Sequence, residues 1–393
     1  MSDSLIYLDH AATTAVDPAV IAAMLPYFAQ FAGNPSSIHH QGRMALQALD
    51  DARDTVATLL GASAKELVFT GGGSESDNLA IKGVAFAQRQ RGRGQHLITS
   101  AIEHHAVLHA VEYLQAFGFT NTILPVNERG LVAPDDLRAA LRPDTVLVSV
   151  MYANNEIGTI QPIAELGAIC RAAHVPFHTD AIQAAGSLPL DVDDLQVDLL
   201  TLTAHKFYGP KGVGLLYVRR GTPLLPQING GGQERRRRAG TENVPAIVGL
   251  AKALALAEER RPSYVRDCTL LRDRLVAGLI AAIPGTRLNG DRTQRLPNNA
   301  NLAFDCVEGE SLLLLLDQHG IAASSGSACS SGSIEPSHVL LALGTPPEAA
   351  NSSVRFTVGR ETTLAGIDHV IATLPGLVAR LRAVEPCASI GTL

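Results

Sequence analysis

Residues 175–218 read VPFHTDAIQAAGSLPLDVDDLQVDLLTLTAHKFYGPKGVGLLYV. Three short apolar runs stand out in this stretch: VPFHTDA at 175–181, VDLLTLTA at 197–204 and GVGLLYV at 212–218. Upstream, ELVFTG at 66–71, HLITSAI at 96–102 and TVLVSVM at 145–151 repeat the pattern, with amphipathic stretches between them. Short runs rich in β-formers, separated by helix-length segments, predict βαβ units from about residue 15 to 260. The sheet is then mainly parallel, with helices on both faces. Such sheets bind ligands outside the carboxyl ends of their strands, so residues that end the runs are the first candidates for chemistry.

Beyond the sixth run the pattern dissolves between Gly221 and Asn243 into a Gly/Pro-rich loop carrying four arginines, Arg235 to Arg238. A helical stretch is expected from about Val244 to Glu259. After it comes a region of mixed helices and strands, including NNANLAFDC at 298–306 and a polar loop at 324–333. A domain boundary is therefore placed near 260, giving 16–260 as a large domain and 1–15 with 261–393 as a smaller one. The tail beyond Glu385 reads as poorly structured.

Composition narrows the function classes. The 393 residues are 46% hydrophobic, enough for two cores, and 32 basic against 38 acidic residues leave a formal charge of −6. That balance favours neither nucleic acid nor an anionic membrane as partner, so a small molecule is the default. The N-terminus shows no secretory signal, and the densest apolar run, Leu312 to Leu316, is far too short for a bilayer. Five scattered cysteines, Cys170, Cys268, Cys306, Cys329 and Cys387, argue against a disulfide scaffold and for a reducing, cytoplasmic setting. The first, second and third of these read as core residues.

Four constellations carry chemistry. In TLTAHKFYGPKGVG at 201–214, Lys206 follows a strand end, where a lysine with an apolar stem can form a Schiff base with an aldehyde. Asp180, ending another strand in HTDAIQA, needs a buried partner, and a protonated pyridine nitrogen would be one. FTGGGSESDNLAIKG at 69–83 sets glycines and Ser74 before a helix, a natural seat for a phosphate. SSGSACSSGS at 324–333 puts Cys329 in a stretch that cannot pack a core, so an exposed, reactive thiol is expected, with the following helix holding Pro336 in its first turn. His104 and His105 follow the run HLITSAI and could stack on a ring or move protons; His105 and His109, spaced i, i+4, could share a helix face as metal ligands, though no third ligand is evident.

Together with YLDHAATT at 7–14, GNPSSIH at 33–39, ANNEIG at 153–158, GGGQERRRRAGTEN at 230–243 and SVRFTVGR at 353–360, these strings resemble the cysteine desulfurases that depend on pyridoxal phosphate (PLP), especially the NifS-type branch of the class V aminotransferase superfamily. The likeness spans almost the whole chain. It implies an aminotransferase-like (fold type I) α/β architecture: a large domain with a mainly parallel seven-stranded sheet, plus a smaller α+β domain. It implies that Lys206 holds PLP, that Asp180 pairs with its ring nitrogen and that His104 stacks on the ring. Asn155 and Gln183 would bond the phenolic oxygen, and Gly73, Ser74, Thr203 and His205 would hold the phosphate, with Thr241 arriving from a second subunit of a homodimer. Asn34 and Arg355 would clamp the carboxylate of L-cysteine, Arg355 bidentately.

In that scheme Cys329 accepts sulfur as a persulfide and hands it to an acceptor or an iron–sulfur scaffold protein, the NifS likeness suggesting a nitrogenase-linked role, with transient iron–sulfur ligation through Cys329 as the one metal role. Rival readings are a selenocysteine lyase or another PLP-dependent lyase or transaminase, and, in a different class, a non-catalytic persulfide carrier. The run Arg235 to Arg238 is denser than the resemblance leads one to expect, and reads as a solvated loop, as steering for an anionic partner or as a contact to the cross-subunit phosphate.

Overall fold

The computed structural model describes residues 5–325 and 335–384. Its strands are β1 (Ile6–Tyr7), β2 (Leu67–Thr70), β3 (His96–Ser100), β4 (Thr120–Leu124), β5 (Thr145–Ser149), β6 (Phe177–Asp180), β7 (Leu199–Thr203), β8 (Gly214–Val218), β9 (Thr286–Leu288), β10 (Asn299–Phe304), β11 (Ile321–Ala322) and β12 (Ser353–Thr357). Seven of them form one sheet in the order β2-β8-β7-β6-β5-β3-β4. All its neighbouring pairs are parallel except those of β8, which runs antiparallel to both β2 and β7. Strands β2, β3, β5, β6, β7 and β8 are buried at every position, as befits a sheet covered on both faces.

Two large apolar clusters flank that sheet. One joins helix His40–Leu60 and the start of helix Val244–Ala282 to the sheet through Leu49, Val56, Phe177, Leu200 and Leu250; the other packs Ile81, Val84, Val107 and Leu114 of helices Gly73–Gln90 and His105–Gln115 onto Val68, Leu147 and Leu216. A separate cluster gathers Leu8, Leu275, Leu302, Phe356, Val370 and Leu374 around the antiparallel sheet β12-β10-β9.

Helix Val244–Ala282 differs from expectation. It continues through residue 260 for 39 residues, with Pro262 inside it. Its first half buries Ile247, Leu250 and Leu254 in the large core, and its second half buries Cys268, Leu271 and Leu275 in the small one. Packing at both ends outweighs the hydrogen bond that a helix-interior proline removes.

Helix Leu364–Val384 is long and apolar enough to cross a membrane by length and composition. Ile367, Val370, Leu374, Leu377 and Val378 nevertheless sit in the small core, and Asp368 pairs with Arg274 of the long helix at 2.5 Å. It is a stripe-bearing core helix.

Smaller corrections concern Pro336 and Cys306. Pro336 lies outside the helix it was expected to open: that helix is His338–Ala342, capped by Ser337, whose hydroxyl accepts from the Leu340 amide. Cys306 is half-buried in a left-handed turn (φ 62°) just past β10, whereas Cys170 and Cys268 are free and buried as expected. The tail beyond Glu385 lies outside the described residues.

Candidate functional site

Three neighbouring parallel strands end together and set the floor of a cleft of about 360 Å³. Asp180 closes β6, and Thr203 closes β7 and leads through a single 3₁₀ turn, Ala204–Lys206, to the lysine. Lys206 is half-buried, and its Nζ donates to the carbonyls of Ala11 (2.6 Å) and Ala12 (2.8 Å). The N-terminal segment thus has two jobs. Residues 6–8 pair with β11 and fill the small core, while residues 11–14 lie over the cleft, where Thr14 donates both its amide and its hydroxyl to His205 O.

Asp180 is almost fully buried, and its Oδ1 accepts from the Ile182 amide at 2.9 Å. Burial pushes its carboxyl up to about 6, against the Ile182 hydrogen bond and the charge of Lys206. A carboxyl so placed gains from a cationic partner in the cleft.

At one end of the cleft, helix Gly73–Gln90 presents its N-terminus with no side chain capping it, so the first-turn amides and the dipole face the opening. A Cβ on Gly73 would come within 2.3 Å of Ile182 Cδ1, so only glycine lets helix and floor approach this closely. Ser74, Thr203 and His205 line the same end. The Thr203 hydroxyl donates to Val213 O (3.1 Å), and His205 Nδ1 lies 3.1 Å from Thr13 Oγ1. Burial, Lys206 and Lys211 lower the His205 imidazole to about 4.

His104 lines the cleft and caps helix His105–Gln115, its Nδ1 accepting from the Ala106 amide at 3.1 Å. Burial first, then Lys206 and the neighbouring histidines, bring it down to about 4, so it is a neutral ring at physiological pH. Asn155 and Gln183 also line the cleft, with Gln183 Nε2 donating to Ala11 O. At the far end, buried Arg355 donates to Asn155 O and to Asp9 Oδ1, each at 2.9 Å.

Ten of the sequence-selected residues therefore share one cleft: Gly73, Ser74, His104, Asn155, Asp180, Gln183, Thr203, His205, Lys206 and Arg355. Asn34 and Thr241 do not join them within this chain; both are exposed, and Asn34 Oδ1 accepts from the Ser36 amide. Cys329 lies outside the described residues. The chain on both sides of it is anchored at the cleft, because Ser324 exchanges backbone hydrogen bonds with Arg355, and His338 Nε2 lies 2.9 Å from Glu103 O, next to His104.

His105 and His109 do share a helix face (ring centroids 4.9 Å apart), and His338 joins them at 4.7 Å from His105. Among the described residues, however, no group of His, Cys, Asp or Glu is placed to hold a metal ion. The four arginines divide. Arg238 pairs with Glu75 in the first turn of the glycine-led helix (2.8 Å), Arg237 donates to Lys65 O, and Arg235 and Arg236 are exposed. The turn they occupy is left-handed at Glu234, Arg235 and Arg236 and is pinned by a buried pair, Arg53 to Glu234, at 2.7 Å.

Residues missed from the sequence are Asp9, Ala11 and Ala12, which tie down Arg355 and Lys206, and the buried acids Asp77 and Glu103 near Asp180. The string YLDHAATT was the signal for the first three, although nothing in it indicates that two alanines act through their carbonyls.

The Aminotransferase class-V family description matches residues 6–370. A cysteine desulfurase IscS of Methanosarcina thermophila is 53% identical over 97% of the chain and 94% of its own length, and a cysteine desulfurase of Nostoc sp. is 50% identical over 98% and 95%. Among solved structures, a NifS-like protein superposes with a TM-score of 0.90 at 36% identity, covering 96% of this chain and all of its own. SspA in complex with cysteine superposes with a TM-score of 0.78 at 36% identity, covering 91% and 100%.

Proposed function

The chain belongs to the class-V aminotransferases, in their cysteine desulfurase branch, and from that premise we propose how its own residues convert L-cysteine to L-alanine. The observation that carries the assignment is the meeting of Lys206, Asp180, the open helix end at Gly73 and Arg355 in one cleft. These residues fit PLP: an amine for its aldehyde, a buried carboxyl for its ring nitrogen and free amides for its phosphate. Bound PLP supplies an electron sink for charge developing at the substrate Cα.

Lys206, held by the Ala11 and Ala12 carbonyls, would hold the cofactor through its aldehyde, and its amine is the base placed to take the substrate Cα proton. Asp180 stays ionised against the ring nitrogen. His104, neutral and fixed by its cap bond, would stack on the ring, and Asn155 and Gln183 would bond the phenolic oxygen. Gly73, Ser74 and His205 would hold the phosphate, and Thr203 would join them by giving up its bond to Val213 O. Arg355 receives the substrate carboxylate, with Asn155 O and Asp9 keeping its guanidinium in place. Asn34, which lies apart from the cleft within this chain, would complete the clamp only on being brought to it.

Cys329 then takes the sulfur: the substrate Cβ–S bond breaks, an S–S bond forms at the Cys329 thiolate, and alanine leaves with the proton balance closed by Lys206. Cys329 is five residues beyond Ser324, so its tether spans at most about 17 Å from the cleft wall. The persulfide passes to an acceptor for iron–sulfur cluster assembly, and the likeness to NifS-like proteins supports a nitrogenase-linked branch of that duty. A thiol that must stay reduced to accept sulfur belongs in the cytoplasm.

The enzyme works as a homodimer in this proposal. Support comes from Thr241, exposed and apart from the cleft, and from the uncovered Ile21, Leu25, Phe28 and Ile38 (45%, 60%, 62% and 92% exposed), an apolar group a second copy would cover. The deciding experiment is absorbance of the PLP-loaded protein before and after borohydride, joined to alanine release from cysteine. Reduction onto Lys206 together with alanine formation is the expected result. A protein that neither binds PLP nor releases alanine defeats the reading.

A further inference from the structure

Directly behind Asp180 lies a second carboxyl that no step above uses. Asp77, one turn into helix Gly73–Gln90, is 0% exposed, and neither of its oxygens has a hydrogen-bond partner. The polar side chains around it come from β6, β7 and the loop after β3. His178 of β6 has Nε2 at 3.7 Å; Thr201 of β7 offers a hydroxyl; Asp180 and Glu103 add negative charge. His178 is itself fully buried, bonded through Nδ1 to Ser149 Oγ (2.8 Å) and through Nε2 to Thr201 Oγ1 (3.0 Å). His178 and Asp180 are two apart on one strand and so face the same side of the sheet.

Two carboxyls in one dry pocket cannot both stay charged, and the proton settles on the one with fewer donors. Asp180 has the Ile182 amide and Lys206 to stabilise its anion. Asp77 has neither a backbone amide nor a lysine beside it, and the one hydroxyl near it, that of Thr201, is engaged with His178 Nε2. We propose that Asp77 is the proton-holding half of a carboxyl pair with Asp180, a positioning residue that keeps Asp180 the single anion behind the cofactor ring. Both His178 nitrogens are engaged elsewhere, Nε2 with Thr201 and Nδ1 with Ser149, so at 3.7 Å the ring is a neighbour of Asp77 and not its hydrogen-bond partner. Burial, then repulsion by Asp180 and Glu103, push Asp77 well above the usual carboxylate range, while burial brings His178 down to about 3, so the pair is neutral acid beside neutral imidazole.

The inference rests on PLP sitting against Asp180, but its main test does not. Infrared spectra of the protein carrying aspartate labelled at the side-chain carbon, at neutral pH, should contain a protonated-carboxyl band that shifts with the label, and the band should vanish in Asp77→Asn. It should persist after PLP is loaded. In Asp77→Asn, which is close in shape and neutral, the pH midpoint of the cofactor's absorbance should stay within about half a unit of wild type. Absence of an aspartate band at neutral pH in the labelled wild type, or a midpoint moved by more than one unit in Asp77→Asn, overturns the proposal. Failure of the protein to bind PLP would instead remove the desulfurase reading and leave the infrared result standing.

Discussion

At the scale of single residues, the burial of acidic groups behind the cleft has consequences for stability. Glu103 accepts from Ser100 Oγ and the Met151 amide, yet burial pushes its carboxyl from 4.5 to about 8. Between those values the folded chain keeps a proton that the unfolded chain has released, so stability falls as pH rises through that window. Glu103→Gln removes this dependence. The cofactor-free variant should melt higher than wild type at pH 9, by roughly a few kcal/mol at 1.4 per pKa unit, while the two converge near pH 4. Scanning calorimetry across that range checks it. Lys206→Ala should lose the cofactor's reducible absorbance and lower alanine formation by about 10³-fold or more. Cys329→Ala should keep the absorbance and lose persulfide formation, and unchanged sulfide release by that variant would remove the thiol from the reaction.

The sequence indicated Lys206 and Asp180 because each ends an apolar run, and strand ends are where such sheets do chemistry. Asp77 was invisible because helical periodicity treats it as one more polar position, and its burial exists only once the helix lies on β6 and β7. The grip on Lys206 was hidden for another reason: it is made by two main-chain carbonyls, which every alanine owns.

At the scale of elements, the glycine-led helix and the turn at 233–236 are the sensitive parts. Gly73→Val forces Ile182 to move, and the floor of the phosphate end with it, so PLP affinity should fall at least tenfold with little change in far-ultraviolet circular dichroism. Removing Glu234 strands Arg53 in the interior and leaves the Phe69 amide without its acceptor. Glu234→Ala should cost about 3–5 kcal/mol in denaturant melts. Strand runs were legible wherever the strand is buried on both faces. β4, with exposed and half-buried positions at the sheet edge, lacks that signature, and the reversed direction of β8 leaves no trace in a period-two pattern. Helix Val244–Ala282 runs well beyond the stretch expected to end near Glu259, because packing at both ends carries it past Pro262.

For the whole molecule, we propose that 16–260 and the remainder act as two domains, resting on their separate apolar cores. Light scattering should give twice the mass of one chain, and Phe28→Asp together with Leu25→Asp should shift it toward the single-chain value and weaken PLP retention, since Thr241 would then have no neighbouring cleft to enter.

The shared helix sets a limit on dissection. Cutting the chain near residue 260 would leave the large domain its half of the helix, braced by Leu254 in the core and by Arg260 on Asp17, but would hand the other half a fragment whose Cys268, Leu271 and Leu275 begin within three turns of a frayed end. The two halves would meet best as separately expressed pieces divided in the surface turn at Gly92 or Gly118, where an added side chain meets nothing within 4 Å. The 39-residue rod is a common keel: each domain can be trimmed, but neither can be floated without it.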